Sequence, residues 1–160
     1  MPTTAITSQA ERQRALGLST FAFTICFAVW TIFAIIGVEI KGELGLNDTQ
    51  FGLLVGTPIL TGSLVRLFLG VWTDQYGGRI TFPLTMLASA GSTFLLSYAH
   101  SYSLMLLAAL GLGLAGGGFA VGVAFVPKWD PQEKQGTALG LFGMGNVGAA
   151  VTKFIAPWGR

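Results

Sequence analysis

The chain alternates between long apolar runs and short polar turns. Each run holds about 20 predominantly apolar residues, the length that crosses the hydrocarbon core of a bilayer. Residues 1–15 are polar, and the first run after them is too long for a cleaved signal peptide, so a retained helix is expected. The pattern predicts an all-α integral membrane protein with about five transmembrane helices. They are predicted at residues 16–38, 51–73, 80–98, 103–126 and 136–156.

Composition supports this prediction and excludes several function classes. Hydrophobic residues make up 52% of the chain and charged residues only 10%, against about 25% charged in soluble proteins. The net charge of +2 comes from scattered basic residues, which argues against nucleic acid as a partner. The single cysteine, Cys26, lies inside an apolar run and offers neither a disulfide nor a metal site from this chain alone.

Enzymatic chemistry has no candidate residues. The only histidine, His100, lies in a predicted turn, and no nucleophile–base set or pair of carboxylates is apparent. Residues 111–116 read GLGLAG and formally match a dinucleotide-binding motif, but they lie within a membrane-length apolar run. We therefore expect no enzymatic activity, no cofactor and no metal.

The distribution of basic residues predicts the orientation in the membrane. Basic residues in short loops favour the cytoplasmic side. An N-terminus in the cytoplasm places, among the basic residues outside the apolar runs, only Lys41 and the terminal Arg160 on the outer side. The basic residues on the inner side are then Arg12, Arg14, Arg79, Lys128 and Lys134.

Small residues spaced four apart predict close helix packing. Such spacing lets the backbones of membrane helices approach one another. The pairs are Gly111 with Ala115, Gly118 with Gly122, and Gly136 with Gly140.

One arginine lies in the middle of an otherwise uncharged run. Arg66 is eight positions before Asp74, about 12 Å from the predicted inner end of its helix. An arginine at that depth costs about 2.5–3.5 kcal/mol, and no carboxylate lies inside any of the five runs to pair with it. Its partner is then either outside this chain or a bound anion, because the guanidinium fork matches planar oxyanions. The alternative is hydrogen bonding to backbone carbonyls of a neighbouring helix.

Other residues are predicted at a similar depth. Asn146 lies about 15 Å from the start of its helix by the same rise, and Phe27 and residues 116–119 reach a comparable level. Secondary transporters place their substrate site near the bilayer midplane. Gly143, Asn146 and Lys153 share a helix face, and Lys153 lies further out. It is a candidate substrate-binding residue, either as a charge at the outer mouth or as a direct ligand.

A motif between the second and third runs resembles a known family. Gly70, Asp74, Gly77 and Arg79 form G-x-x-x-D-x-x-G-x-R, which looks like the inner loop motif of the major facilitator superfamily. The resemblance implies that Asp74 and Arg79 brace an inward-closed arrangement and do not touch the substrate.

Within that superfamily the chain resembles the nitrate/nitrite porter family. The resemblance rests on Arg66, on PKW at residues 127–129 and on QGTALGLFGMGNVG at residues 135–148. It implies that Arg66 and Asn146 coordinate the anion, with Phe27 as an aromatic side of the cavity. The glycines of the fifth helix, Gly143 and Gly145 among them, would form a flexible, close-packed wall.

The resemblance implies a nitrate or nitrite transporter in the inner membrane of a bacterium. It would act by alternating access, as a proton symporter or a nitrate–nitrite exchanger. The family has twelve helices in two halves, with a second arginine and a second glycine-rich signature in the other half. We therefore expect this chain to be the N-terminal part of a porter whose C-terminal half is a required partner. The alternatives are a porter for another small anion and a non-transporting membrane subunit.

Overall fold

The computed structural model of the chain describes residues 8–155, apart from the side chains at positions 33 and 34. This part of the chain forms helices and no strands. The α-helices are α1 (Gln9–Trp30), α2 (Ile32–Glu43), α3 (Asp48–Tyr76), α4 (Gly78–Ser97), α5 (Tyr102–Gly116), α6 (Gly118–Phe125), α7 (Gln132–Gly143) and α8 (Val147–Ile155). Short 3₁₀ turns at Val126–Trp129 and Met144–Asn146 join the last of them.

These helices combine into five spans, each long and apolar enough to cross a membrane. The prediction of an all-α membrane fold with five such helices is confirmed. The first three spans are Gln9–Glu43, Asp48–Tyr76 and Gly78–Ser97, and the last two are Tyr102–Trp129 and Gln132–Ile155.

The first span begins earlier than the sequence predicts. Ser8 caps α1: its hydroxyl accepts from the Glu11 N–H at 3.2 Å, and the Glu11 carboxylate accepts from the Ser8 N–H at 2.8 Å. This reciprocal pair fixes a helix start at Gln9. Residues 9–15, predicted as part of a tail, are therefore helical, while residues 1–7 of the predicted tail lie outside the described residues.

The fourth span is the centre of the bundle. Its two helices, α5 and α6, pack against α1, α3 and α4, and residues such as Leu112 and Val121 are fully buried. The fifth span packs mainly against α1. The second and third spans therefore pack on the fourth span, and the fifth span packs on the first.

Glycines allow the closest helix contacts. A β-carbon added at Gly113 of α5 would lie only 2.9 Å from the backbone nitrogen of Gly62 on α3. One added at Gly122 of α6 would overlap the ring of Phe142 on α7.

β-Carbons added at Gly111 and Gly118, two of the predicted positions, would meet the side chains of Ser92 and Cys26. The small-residue spacing in the fourth span thus does mark close packing.

The same small-residue spacing in the fifth span does not correspond to close helix packing. β-Carbons added at Gly136 and Gly140 would meet nothing within 4 Å. The predicted close packing at these two positions is wrong for the described part of the chain, because this face of α7 is directed away from its neighbours.

We predict that Gly113→Ala lowers stability, while Gly56→Ala on α3 does not. The new methyl group at position 113 meets backbone, which cannot move aside, so overpacking should cost about 1–3 kcal/mol. Gly56 has open space around its added β-carbon, and alanine is the better helix former by about 1 kcal/mol. Thermal unfolding of the two variants in detergent measures the difference, and equal melting temperatures would contradict the packing described here.

Candidate functional site

Arg66 contacts a break in the fourth span. Its Nε donates to the carbonyl oxygen of Gly116 at 3.0 Å. Gly116 is the last residue of α5, and the helix resumes at Gly118. The backbone N–H of Ala120 donates to the carbonyl oxygen of Gly117 at 3.0 Å, three residues back, and not to Gly116, which is its usual i−4 acceptor. The Gly116 carbonyl at this helix end is therefore available to Arg66.

Trp30, at the end of α1, completes the surroundings of Arg66. The guanidinium carbon lies 5.6 Å from the centroid of the indole ring, within the range of a cation–π contact. The indole Nε1 donates to the carbonyl oxygen of Pro58 at 3.1 Å. β-Carbons added at Gly62 and Gly116 would lie 3.3 and 2.8 Å from this nitrogen, so the two glycines form a slot for the ring.

Sequence reasoning missed Trp30. The signal was present: tryptophan is enriched at membrane interfaces, whereas Trp30 lies in the middle of a span. Its position, one helical turn beyond Phe27, places it next to the predicted site.

Four of the five donors of Arg66 have no partner among residues 8–155. The side chain is partly buried, and no ion pair to it occurs in this part of the chain. The alternative of backbone hydrogen bonding therefore accounts for Nε only. Neither Nη group donates a hydrogen bond within the described residues, so both remain accessible to a ligand. The site is thus electropositive and suited to an anion.

Phe27 belongs to a row of aromatic rings that starts at Trp30. It lies 5.5 Å from Trp30 and 5.5 Å from Phe23, between ring centroids. Phe23 in turn stacks on Phe142 at 4.8 Å and contacts Phe119 at 5.5 Å. The Trp30 ring therefore contacts both Phe27 and Arg66.

The glycine-rich segment of the fifth span packs against α1. A β-carbon at Gly145 would overlap the ring of Phe23, and one at Gly148 would overlap the backbone carbonyl of Thr24. Gly143, by contrast, has open space. The segment is also where the span is irregular, since the 3₁₀ turn Met144–Asn146 separates α7 from α8.

Asn146 lies on this turn with an exposed side chain. Its Nδ2 donates to the Gly143 carbonyl at 2.9 Å, within the same turn. The turn lies beside Phe23 and Arg66 lies beside Trp30, seven residues or about 10 Å further along α1. No direct contact joins the Arg66 and Asn146 side chains among the described residues.

Lys153 lies in the last turn of α8 and is exposed. It forms no ion pair within residues 8–155.

The loop motif lies at the C-terminal end of α3. Gly77 has φ +81°, a left-handed conformation that favours glycine. Asp74 accepts from Lys128 at 2.7 Å, and the Arg79 guanidinium lies 5.3 Å from the Trp129 ring centroid. Asp74 and Arg79 thus each contact the segment that follows the fourth span.

The basic-residue pattern predicts that this end of the bundle faces the cytoplasm, and we therefore label it the inner end. It is defined by Arg12, Asp74, Arg79 and the segment 128–130. Arg12 approaches Asp130 at 4.0 Å. Three consecutive residues, 128–130, therefore contact the end of α3, the start of α4 and the start of α1. The partner of Asp74 was not evident from the sequence, because Lys128 is 54 positions away.

The fold and the position of Arg66 together indicate the class of protein. A bundle of membrane-length helices with a cation in the middle of one span and irregular backbone in three spans is typical of a polytopic membrane protein with an intramembrane polar site. Residues 6–158 match the family model described as Major Facilitator Superfamily. The chain belongs to this superfamily.

Three relatives extend the comparison. The chain is 49% identical over 147 residues to a Thermus thermophilus protein described as "Probable nitrate/nitrite antiporter NarK1", covering 92% of this chain and 33% of that protein. It is 34% identical over 142 residues to the "Probable nitrate transporter NarT" of Staphylococcus carnosus, covering 89% and 37%. The Staphylococcus aureus protein of the same description is also 34% identical over 142 residues, covering 89% and 36%.

These relatives confirm the resemblance to nitrate/nitrite porters. The chain spans about one third of the length of each of them.

We predict that Asp74 and Lys128 stabilise the inner end by about 0.2–1 kcal/mol, the usual range for an exposed ion pair. A double-mutant cycle with Asp74→Asn and Lys128→Met, read by thermal unfolding in detergent, measures this coupling. The coupling should vanish near 1 M salt, where the screening length is about 3 Å. Lys134→Met, at an exposed position near the same end, is the control and should show no coupling to Asp74→Asn.

Proposed function

We propose that the chain forms part of a nitrate or nitrite transporter that works by alternating access. The single observation that carries the proposal is the state of Arg66. It is a permanent cation in the middle of a span, with one donor bound to Gly116 and four donors without a partner in residues 8–155. An anion with several oxygen atoms is the ligand that such a group binds best.

The relatives support nitrate and nitrite as the anion. Their descriptions name nitrate or nitrite, and the similarity includes most of this chain. Other small anions share some of this chemistry, so the choice of nitrate rests on the relatives and the choice of an anion rests on Arg66.

The other site residues take supporting roles in this proposal. Gly145 lets the fifth span approach α1, and Phe27 packs between Phe23 and Trp30 in the aromatic row next to Arg66. Asn146 offers its amide about 10 Å along α1 from the Arg66 level, so it contacts the anion at a different point of the path. Lys153 attracts anions near the outer mouth, and Gly143 leaves room beside the turn.

The inner-end contacts act as a brace in the same proposal. Asp74 with Lys128 and Arg79 with Trp129 tie α3 and α4 to the segment after the fourth span. Gly70 and Gly77 complete the motif, with Gly77 forming the turn. Breaking and remaking such contacts accompanies the change between the two access states.

We place the protein in the plasma membrane of a bacterium with its N-terminus in the cytoplasm. The gathering of Arg12, Arg79 and Lys128 at one end of the bundle supports this orientation, because positive charge favours the cytoplasmic side. Transport takes place either with protons or in exchange for nitrite. Counterflow assays in vesicles with and without a pH gradient separate the two modes.

We predict that Arg66→Lys in the complete encoded protein severely reduces nitrate uptake. Lysine keeps the charge but replaces a planar fork by a point charge. Uptake of labelled nitrate by cells that lack their own nitrate carriers measures the loss. Arg14→Lys, at an exposed position near the start of α1, is the matched control and should leave uptake unchanged.

Normal nitrate affinity in Arg66→Lys would remove Arg66 from the site. Uptake that ignores nitrate but still requires Arg66 would favour another small anion. A protein in which Arg66→Ala alters assembly and no anion binds would instead be a non-transporting subunit.

We predict that Asn146→Ala weakens nitrate binding by less than Arg66→Lys does. A lost hydrogen bond at a partly desolvated position costs about 1–3 kcal/mol. Asn146→Asp should weaken it further, since a like charge repels the anion. Equilibrium titration of the purified variants with nitrate measures both effects, and identical affinities in all three proteins would contradict the role given to Asn146.

A further inference from the structure

The hydrogen bond at Nε decides which edge of Arg66 can bind an anion. A guanidinium offers two bidentate edges: one made by Nε and the neighbouring Nη, and one made by the two Nη groups. The Nε donor is taken by the Gly116 carbonyl at 3.0 Å. Only the Nη–Nη edge can therefore form two parallel hydrogen bonds to a ligand.

The indole of Trp30 restricts the guanidinium further. It lies 5.6 Å from the guanidinium carbon, where the ring quadrupole attracts the cation. The ring is itself held, because its N–H donates to the Pro58 carbonyl at 3.1 Å. Gly62 and Gly116 leave the space that the ring occupies.

Three residues of α3 thus cooperate around this ring. Pro58, Gly62 and Arg66 are spaced four apart and share one face of the helix. Trp30 contacts all three: it binds the first, packs on the second and attracts the third. The Arg66 side chain is therefore held at two points: the Gly116 carbonyl accepts from Nε, and the Trp30 ring packs against the guanidinium.

We propose that Trp30 is a positioning residue that presents the Nη–Nη edge of Arg66 to the transported anion. The inference rests on the proposed function. It adds a reason for selectivity: a fixed edge with two parallel donors fits two oxygens of one planar oxyanion, while a spherical halide offers a single acceptor atom on which both hydrogen bonds must converge. Nitrate and nitrite can form the two parallel hydrogen bonds, and chloride cannot.

The first test compares Trp30→Leu with Trp30→Phe in nitrate transport by the complete encoded protein. Loss of the orienting ring should raise KM on the order of tenfold and leave the maximal rate nearly unchanged. Trp30→Phe keeps an aromatic face and should recover much of the affinity. The inhibition constant of chloride should change little, so that the preference for nitrate over chloride falls with Trp30→Leu.

The control is Trp72→Leu. Trp72 is 53% exposed on α3, and its replacement should leave KM for nitrate at the wild-type value. Monodisperse elution and comparable membrane abundance of each variant show that folding is retained.

The second test needs no transport. A double-mutant cycle with Trp30→Leu and Arg66→Met, read by thermal unfolding in nitrate-free buffer, measures the coupling between the two side chains. Clear non-additivity supports the contact. Additive effects would overturn the proposal, and so would wild-type KM in a well-folded Trp30→Leu variant.

The two tests distinguish a failure of the positioning role of Trp30 from a failure of the proposed transport function. A wild-type protein that neither binds nor transports nitrate would refute the proposed function. The double-mutant cycle alone would then decide whether Trp30 positions Arg66.

Discussion

The hydrogen bond from Arg66 to the Gly116 carbonyl is the interaction on which the rest of the site depends. A permanent charge in the middle of a membrane span costs about 2.5–3.5 kcal/mol even on the lenient insertion scale. The bundle offsets part of this cost by breaking the fourth span at Gly117, where a carbonyl is left for Nε. Because the remaining donors have no partner in the described part of the chain, the charge still attracts an anion.

The packing of the bundle follows from the need to bring irregular backbone and aromatic rings to that charge. Gly62 and Gly113 let α3 and α5 approach until their backbones touch, which carries Arg66 to the break. Gly145 and Gly148 let the fifth span lie directly on α1. The aromatic row from Trp30 to Phe142 fills the space between these contacts.

Much of this was predictable from the sequence, and the exceptions have physical reasons. Hydrophobic run length gave the five spans, and the cost of a buried charge singled out Arg66. Trp30 and Lys128 were missed because their contacts join residues 28 and 54 positions apart. Counting the helical rise predicted Arg66 and Asn146 at a similar depth. The rise within one helix does not give the axial position of that helix relative to its neighbours. The residues of α1 beside them, Phe23 and Trp30, are seven positions apart, or about 10 Å along the helix.

The central claim is that Arg66 binds the anion through its two Nη groups while Nε stays on Gly116. Nitrogen-15 NMR of the guanidinium groups during a nitrate titration tests this most directly, with the Arg66 signals assigned by their loss in Arg66→Lys. We predict that nitrate shifts the Nη resonances of Arg66 and leaves its Nε resonance in place. An Nε resonance that shifts as far as the Nη resonances, or an Arg66 that does not respond to nitrate, would contradict the account.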